Sequence, residues 1–125
     1  MDKISLSDGE WKLMNLLWDK SPLTIGNMVD ALRDDTGWTK ATVNIMLNRL
    51  SDKGAVRIDS SLTRKQFYPL LERDDAVRQE ARNTLSKIRT SGLGLLVNTM
   101  ARESDLSDEE IEELYRILKE GREAK

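Results

Sequence analysis

The hydrophobic pattern of this 125-residue chain changes period just after Gly54, and that change limits what the chain can fold into. Before it, apolar residues recur at three- and four-residue intervals, the spacing of a buried helix face. The sets are Trp11, Met14, Leu17 and Trp18, then Ile25, Met28, Val29 and Leu32, then Val43, Met46, Leu47 and Leu50. After Gly54, Val56 and Ile58 alternate with Arg57 and Asp59, as the residues of a half-buried strand do. Residues 60–65 are then a loop and 66–70 the returning strand, with Pro69 held to an edge or strand end. Three helices followed by a two-stranded ribbon make a winged helix, in which the third helix enters a major groove and a basic ribbon tip reaches phosphates.

Local signals place the helix ends. Ser7-Asp8-Gly9-Glu10 has the capping-box pattern, and the first helix runs from there to about Lys20. Ser21-Pro22-Leu23 breaks it, and Thr24 caps a second helix that is expected to end near Asp35, ahead of the polar turn through Gly37. Trp38 reads as a packing anchor. Thr39 caps the third helix, and Gly54 is placed to take the left-handed conformation just past its end.

The third helix carries the candidate site. Its outer face holds Lys40, Ala41, Thr42, Asn44, Ile45 and Asn48, small and hydrogen-bonding side chains with few long charges. Thr and Asn can donate, accept or touch a thymine methyl at base edges. A polar helix face is more often simply solvated, so charge matters. The whole chain has a net charge of −2, but within residues 39–66 Lys40, Arg49, Lys53, Arg57, Arg64 and Lys65 oppose only Asp52 and Asp59. A local patch is what phosphate contact requires, and Arg64 and Lys65 fall on the expected wing tip.

The rest of the chain reads as three short helices. Asp74 or Asp75 is placed to cap one that reaches about Arg89, with Val77, Ala81, Leu85 and Ile88 as its stripe. Ser91-Gly92-Leu93-Gly94 interrupts, Leu95, Leu96, Val97 and Met100 follow, and Ser107-Asp108-Glu109-Glu110 is a second capping box, before Ile111, Leu114, Tyr115, Ile117 and Leu118. Fifty-odd residues with narrow apolar faces make a marginal core alone, and burial between two copies would relieve that shortage. A homodimer is therefore expected, with a winged domain over 1–71 and a three-helix dimerisation domain over 72–125. The candidate contacts between copies are Leu85, Ile88, Leu95, Leu96, Met100, Ile111, Leu114, Tyr115 and Leu118. Folding of these helices back onto the chain's own winged domain is the alternative.

With no Cys and no His, thiol nucleophiles, imidazole bases, disulfides and the common soft-metal sites are unavailable, and no cofactor is expected. No apolar run approaches the roughly 20 residues that span a bilayer, and the N-terminus lacks the pattern of a signal peptide, so a cytoplasmic protein without membrane insertion is expected.

Several stretches, in order and spacing, resemble the BlaI/MecI family of bacterial penicillinase repressors. They are Ser7 through Trp18, the segment from Trp38 to Gly54 with Thr42, Arg49-Leu50 and Lys53-Gly54, and Asp105-Leu106-Ser107 followed by Glu109-Glu110-Ile111-Glu112-Glu113-Leu114. The resemblance implies a winged-helix domain that binds double-stranded operator DNA at inverted repeats with TACA/TGTA-type half-sites, and a helical domain that dimerises. It also implies repression linked to antibiotic resistance and relieved by a membrane sensor-protease that triggers cleavage of the repressor. The family's base and phosphate contacts fall on Thr39, Ala41, Thr42, Asn44 and Ile45. Ala41 and Asn44 stand where those repressors carry a Lys and an Arg, with Lys40 offset by one. The family's scissile Asn-Phe pair aligns with Thr99-Met100, one residue after Asn98.

Two other classes stay open on sequence. A winged domain can serve as a protein-interaction module, which predicts no salt-sensitive DNA binding, and a repressor can respond to a ligand without cleavage. An enzyme would rest on the pairs Asp34/Asp35 and Glu109/Glu110, but adjacent residues on a helix or turn point apart.

Overall fold

The computed structural model describes residues 4–89, 92–103 and 105–121, so Ser91 of the expected interruption lies outside the described residues. In order along the chain come α1 (Asp8–Asp19), α2 (Ile25–Ala31), α3 (Lys40–Asp52), β1 (Val56–Asp59), β2 (Gln66–Pro69), α4 (Arg73–Ile88), α5 (Leu93–Glu103) and α6 (Asp108–Glu120). They form two compact units, Met1–Arg82 and Asn83–Lys125.

The first unit is built on a core of Leu13, Met14, Leu17, Met28, Leu32, Val43, Leu47, Leu50, Ala55, Val56 and Phe67. Each large side chain in such a core contributes roughly 1.5–3 kcal/mol by leaving water. On α1 the buried stripe is Glu10, Leu13, Met14 and Leu17, not the Trp-centred set read from the sequence. The stripe begins on an acid, which hid its phase. Trp11 and Trp18 are half-buried beside it, their rings edge to face at 5.7 Å, and the Trp18 indole N–H donates to the Leu71 carbonyl at 2.8 Å. An indole at the margin keeps its polar edge satisfied, which a fully apolar core would not allow.

Caps set the helix starts as expected. The Ser7, Thr24 and Thr39 hydroxyls accept from the backbone amides of Glu10, Asn27 and Thr42. α2 ends at Ala31, short of the expected Asp35. The Leu32 carbonyl there accepts from the amides of Thr36 at 2.8 Å and Asp35 at 3.1 Å and from the Thr36 hydroxyl at 3.2 Å, folding the chain into a turn. Gly37 completes it at φ +65°, and Gly54 ends α3 at φ +85°, conformations that a Cβ would strain.

β1 and β2 pair antiparallel in the register Val56 to Pro69 and Ile58 to Phe67. A further bridge was not foreseen: Leu23 and Phe67 exchange both backbone hydrogen bonds, at 2.9 and 3.3 Å. The wing is thereby stitched to the segment between α1 and α2, with Phe67 pairing to Ile58 on one side and to Leu23 on the other.

The compact units part inside α4, eleven residues beyond the 71/72 division expected from the sequence. Arg73 explains why the start of this helix belongs with the first unit: its guanidinium pairs with Asp19 at 2.9 Å and lies 5.7 Å over the Trp18 ring. Asp74 and Asp75 sit inside the first turn of α4 and do not cap it; the Glu72 carbonyl precedes them, accepting from Ala76 N–H. Of the expected α4 stripe, Val77 and Leu85 are exposed, while Ala76 is buried. Among the described residues, the Asn83–Lys125 unit holds α5, α6 and the end of α4, where the sequence reading has three helices over 72–125.

Candidate nucleic-acid interface

α3 turns about 100° per residue, so its residues sort by angle. Val43, Leu47 and Leu50, all fully buried, take one side. Ala41, Ile45 and Asn48 take the centre of the opposite side, flanked by Lys40 and Asn44 on one edge and by Thr42 and Arg49 on the other. Asn44 is half-buried and the rest of this outer set is exposed. Ile45 is 54% exposed, a large apolar side chain on the outer face.

The wing meets the Lys40 edge. A groove of about 510 Å³ is lined by Lys40, Ala41 and Asn44 of α3, by Arg64 and Lys65 of the loop between β1 and β2, and by Thr24, Ile25 and Gly26 at the start of α2. Three cations and no carboxylate line it. Such a concentration of one sign attracts a polyanion and repels itself without one. The wing acid nearest in sequence is braced elsewhere: the Asp59 carboxylate accepts from Ser61 N–H at 2.9 Å. Hydrogen bonds from the Ser61 side chain and backbone, helped by the Arg57 charge, hold that carboxyl below its ordinary range.

Five of the nine residues expected to touch DNA thus come together: Lys40, Ala41, Asn44, Arg64 and Lys65. Thr39 is committed to capping, its hydroxyl accepting from Thr42 N–H and donating to the Thr42 hydroxyl, both at 3.2 Å. Thr42, Ile45 and Arg49 lie outside the groove, and Arg49 is in the last turn of α3, where a cation also complements the helix dipole. Thr24, the cap of α2, and the α2 residues Ile25 and Gly26 were missed as part of the groove. Thr24 was legible as a cap, but its place against α3 is a tertiary contact that no local signal announces.

In the second unit, Leu85, Leu96, Met100, Ile111, Leu114, Tyr115 and Leu118 line one apolar cavity of about 340 Å³, together with Leu93, Val97, Ala101 and Leu106. Ile88 and Leu95 are outside it, and Leu95 is 71% exposed. Asn98, Thr99 and Met100 lie within α5, and the Thr99 hydroxyl donates to the Leu95 carbonyl at 2.8 Å. One member of each adjacent acidic pair has a structural partner: Asp35 pairs with Lys12 at 2.7 Å, and Glu110 accepts from Ser107 N–H at 3.0 Å. Among the described residues no helix is long and apolar enough to cross a membrane.

Three helices, a two-stranded wing, and a cationic groove between wing and third helix define a winged helix-turn-helix protein. A family model described as penicillinase repressor matches residues 6–120, and the chain belongs to that family, one of transcriptional repressors and not of enzymes. Two relatives give its measure. The methicillin resistance regulatory protein MecI of Mammaliicoccus sciuri is 30% identical over 113 residues, covering 90% of this chain and 92% of the relative. The penicillinase repressor of Bacillus licheniformis is 29% identical over 126 residues, covering 100% and 98%. The solution structure of the Bacillus licheniformis BlaI monomeric form in complex with the blaP half-operator aligns with a TM-score of 0.51 and 24% identity, covering 59% of this chain and 90% of that one. It supports the fold of the winged domain.

Proposed function

We propose that this chain is a homodimeric transcriptional repressor of the cytoplasm that binds an inverted-repeat operator, one α3 in each of two major grooves about one helical turn apart. The observation that carries this reading is the groove in which Lys40 and Asn44 of α3 meet Arg64 and Lys65 of the wing. Base edges fall to Ala41, Thr42, Asn44, Ile45 and Lys40, with Thr39 fixing the helix start. Phosphates fall to Arg64, Lys65 and Arg49. The BlaI relative bound to a half-operator supports operator DNA as the partner.

Ala41 and Asn44 change the code without changing the docking. Asn cannot make the paired contact to guanine that an Arg makes, a contact worth about 1–3 kcal/mol of discrimination. The operator therefore departs from the family's half-site at the positions those two residues face.

The second unit joins two copies through its apolar residues, and the exposure of Leu95, Tyr115 and Leu118 supports this. Relief comes by proteolysis near residues 98–100, set off by a membrane sensor-protease. The bonds there lie in helical backbone, so α5 opens locally before a protease can hold them extended.

Gel-shift titration over promoter fragments, against random DNA and across salt, tests the reading. One dyad is expected to be preferred, with log affinity falling linearly in log salt. Equal affinity for every fragment overturns it.

A further inference from the structure

Glu10 is the buried charged side chain of the described residues, 3% exposed, and it lies outside the groove. Its Oε1 accepts from Ser7 N–H at 2.8 Å and from the Lys53 ammonium at 2.5 Å. The same ammonium donates to the Ser5 carbonyl at 2.8 Å. Lys53 is the residue that closes α3. Gly9, beside Glu10, lies against the other parts of that helix. A Cβ at position 9 would stand 2.6 Å from Met46 Cε and 3.2 Å from Trp38 Cη2. One turn of α1 thus meets α3 just before its cap, along its middle and at its end.

The apolar contacts of Val43, Leu47 and Leu50 hold α3 down but are non-directional, so they resist a small slide or roll weakly. An ion pair with one partner out of water is directional. Such a pair adds little net stability over apolar substitutes, and its best-attested use is to fix one geometry among several. Base contacts need that geometry, because a hydrogen bond tolerates only a few tenths of an ångström before it weakens.

We infer that Glu10 and Lys53, with Gly9 beside them, are positioning residues that set the pose of α3 for reading bases, though none of the three need touch DNA. The inference rests on the reading of α3 as the base-contacting helix.

The test compares wild type with Glu10→Gln/Lys53→Met, with Lys53→Arg and with Gly9→Ala, all in the full chain. Gln keeps the acceptor for the capping box, so the double variant removes the ionic fastening and spares the cap. Its thermal midpoint is expected within a few degrees of wild type, while the ratio of operator to random-DNA affinity falls on the order of tenfold, the size of one weakened base contact. Amides in the last turn of α3 are expected to exchange faster with solvent. Lys53→Arg is expected to keep the ratio.

An unchanged ratio in the double variant overturns the proposal. So does an equal loss on both DNAs with the salt slope reduced by about one, which would make Lys53 a phosphate contact. Should the double variant not fold, Gly9→Ala decides: it pushes Trp38 and Met46 without altering charge, and a retained ratio overturns the proposal. A wild type without operator preference removes the repressor reading separately. Amide exchange then judges the fastening alone, faster exchange supporting it and unchanged exchange overturning it.

Discussion

At the scale of single residues, Glu10 couples the fold to pH. Burial alone would raise its carboxyl, but the Lys53 ammonium and the Ser7 amide and hydroxyl outweigh that and hold it below the ordinary range. A folded pKa below the unfolded one favours the fold while the group is ionised. That contribution is complete above about pH 5, past the unfolded Glu value near 4.3, and is lost as pH falls through the lowered folded pKa. Urea midpoints measured from pH 7 down to pH 3 are expected to decline, and Glu10→Gln should flatten part of that decline. An identical acid limb in the two proteins would remove Glu10 as its source. The sequence disclosed half of this residue. Its capping role follows from Ser7 three positions earlier, but its second partner lies 43 residues on, and a cap is ordinarily read as solvated.

Elements were legible where a local signal ends them. Thr39, Gly54 and the alternation from Val56 bound α3 and β1 without help from the rest of the chain, because capping and backbone handedness are short-range effects. The end of α2 and the bridge from Leu23 to Phe67 were not legible, since each depends on hydrogen bonds chosen after the chain has folded back. For α3 and the wing the expectation is a contrast. Thr42→Ala should lower affinity for the operator more than for random DNA, whereas Arg64→Ala should lower both alike and reduce the salt slope by about one. Equal losses from Thr42→Ala would remove it from the base-reading set. For α5, Gly94 has open space where a Cβ would stand. Gly94→Ala is expected to stabilise that helix by up to about 1 kcal/mol and to slow limited proteolysis at residues 98–100 severalfold. Cleavage at the wild-type rate would argue that α5 opening does not govern access.

For the whole molecule, the sequence reading divides the chain at 71/72, whereas the compact units part at 82/83. The start of α4 is held by Asp19 and Trp18, and such contacts are invisible to a reading that proceeds along the chain. The second unit carries the test of assembly. Leu118→Asp places a charge among its exposed apolar residues, and by sedimentation at micromolar concentration the protein is expected to change from dimer to monomer. Binding to the full dyad should then fall toward that of a half-site. A wild-type chain that sediments as a monomer would overturn the dimer.

On the proposed reading α3 divides its labour: Val43, Leu47 and Leu50 are buried in the core, and Ala41, Ile45 and Asn48 are exposed on the opposite side. Recognition can therefore drift without loss of solubility or yield. After a gene duplication, two such repressors could part company at a handful of codons, each acquiring its own set of promoters while keeping the same scaffold.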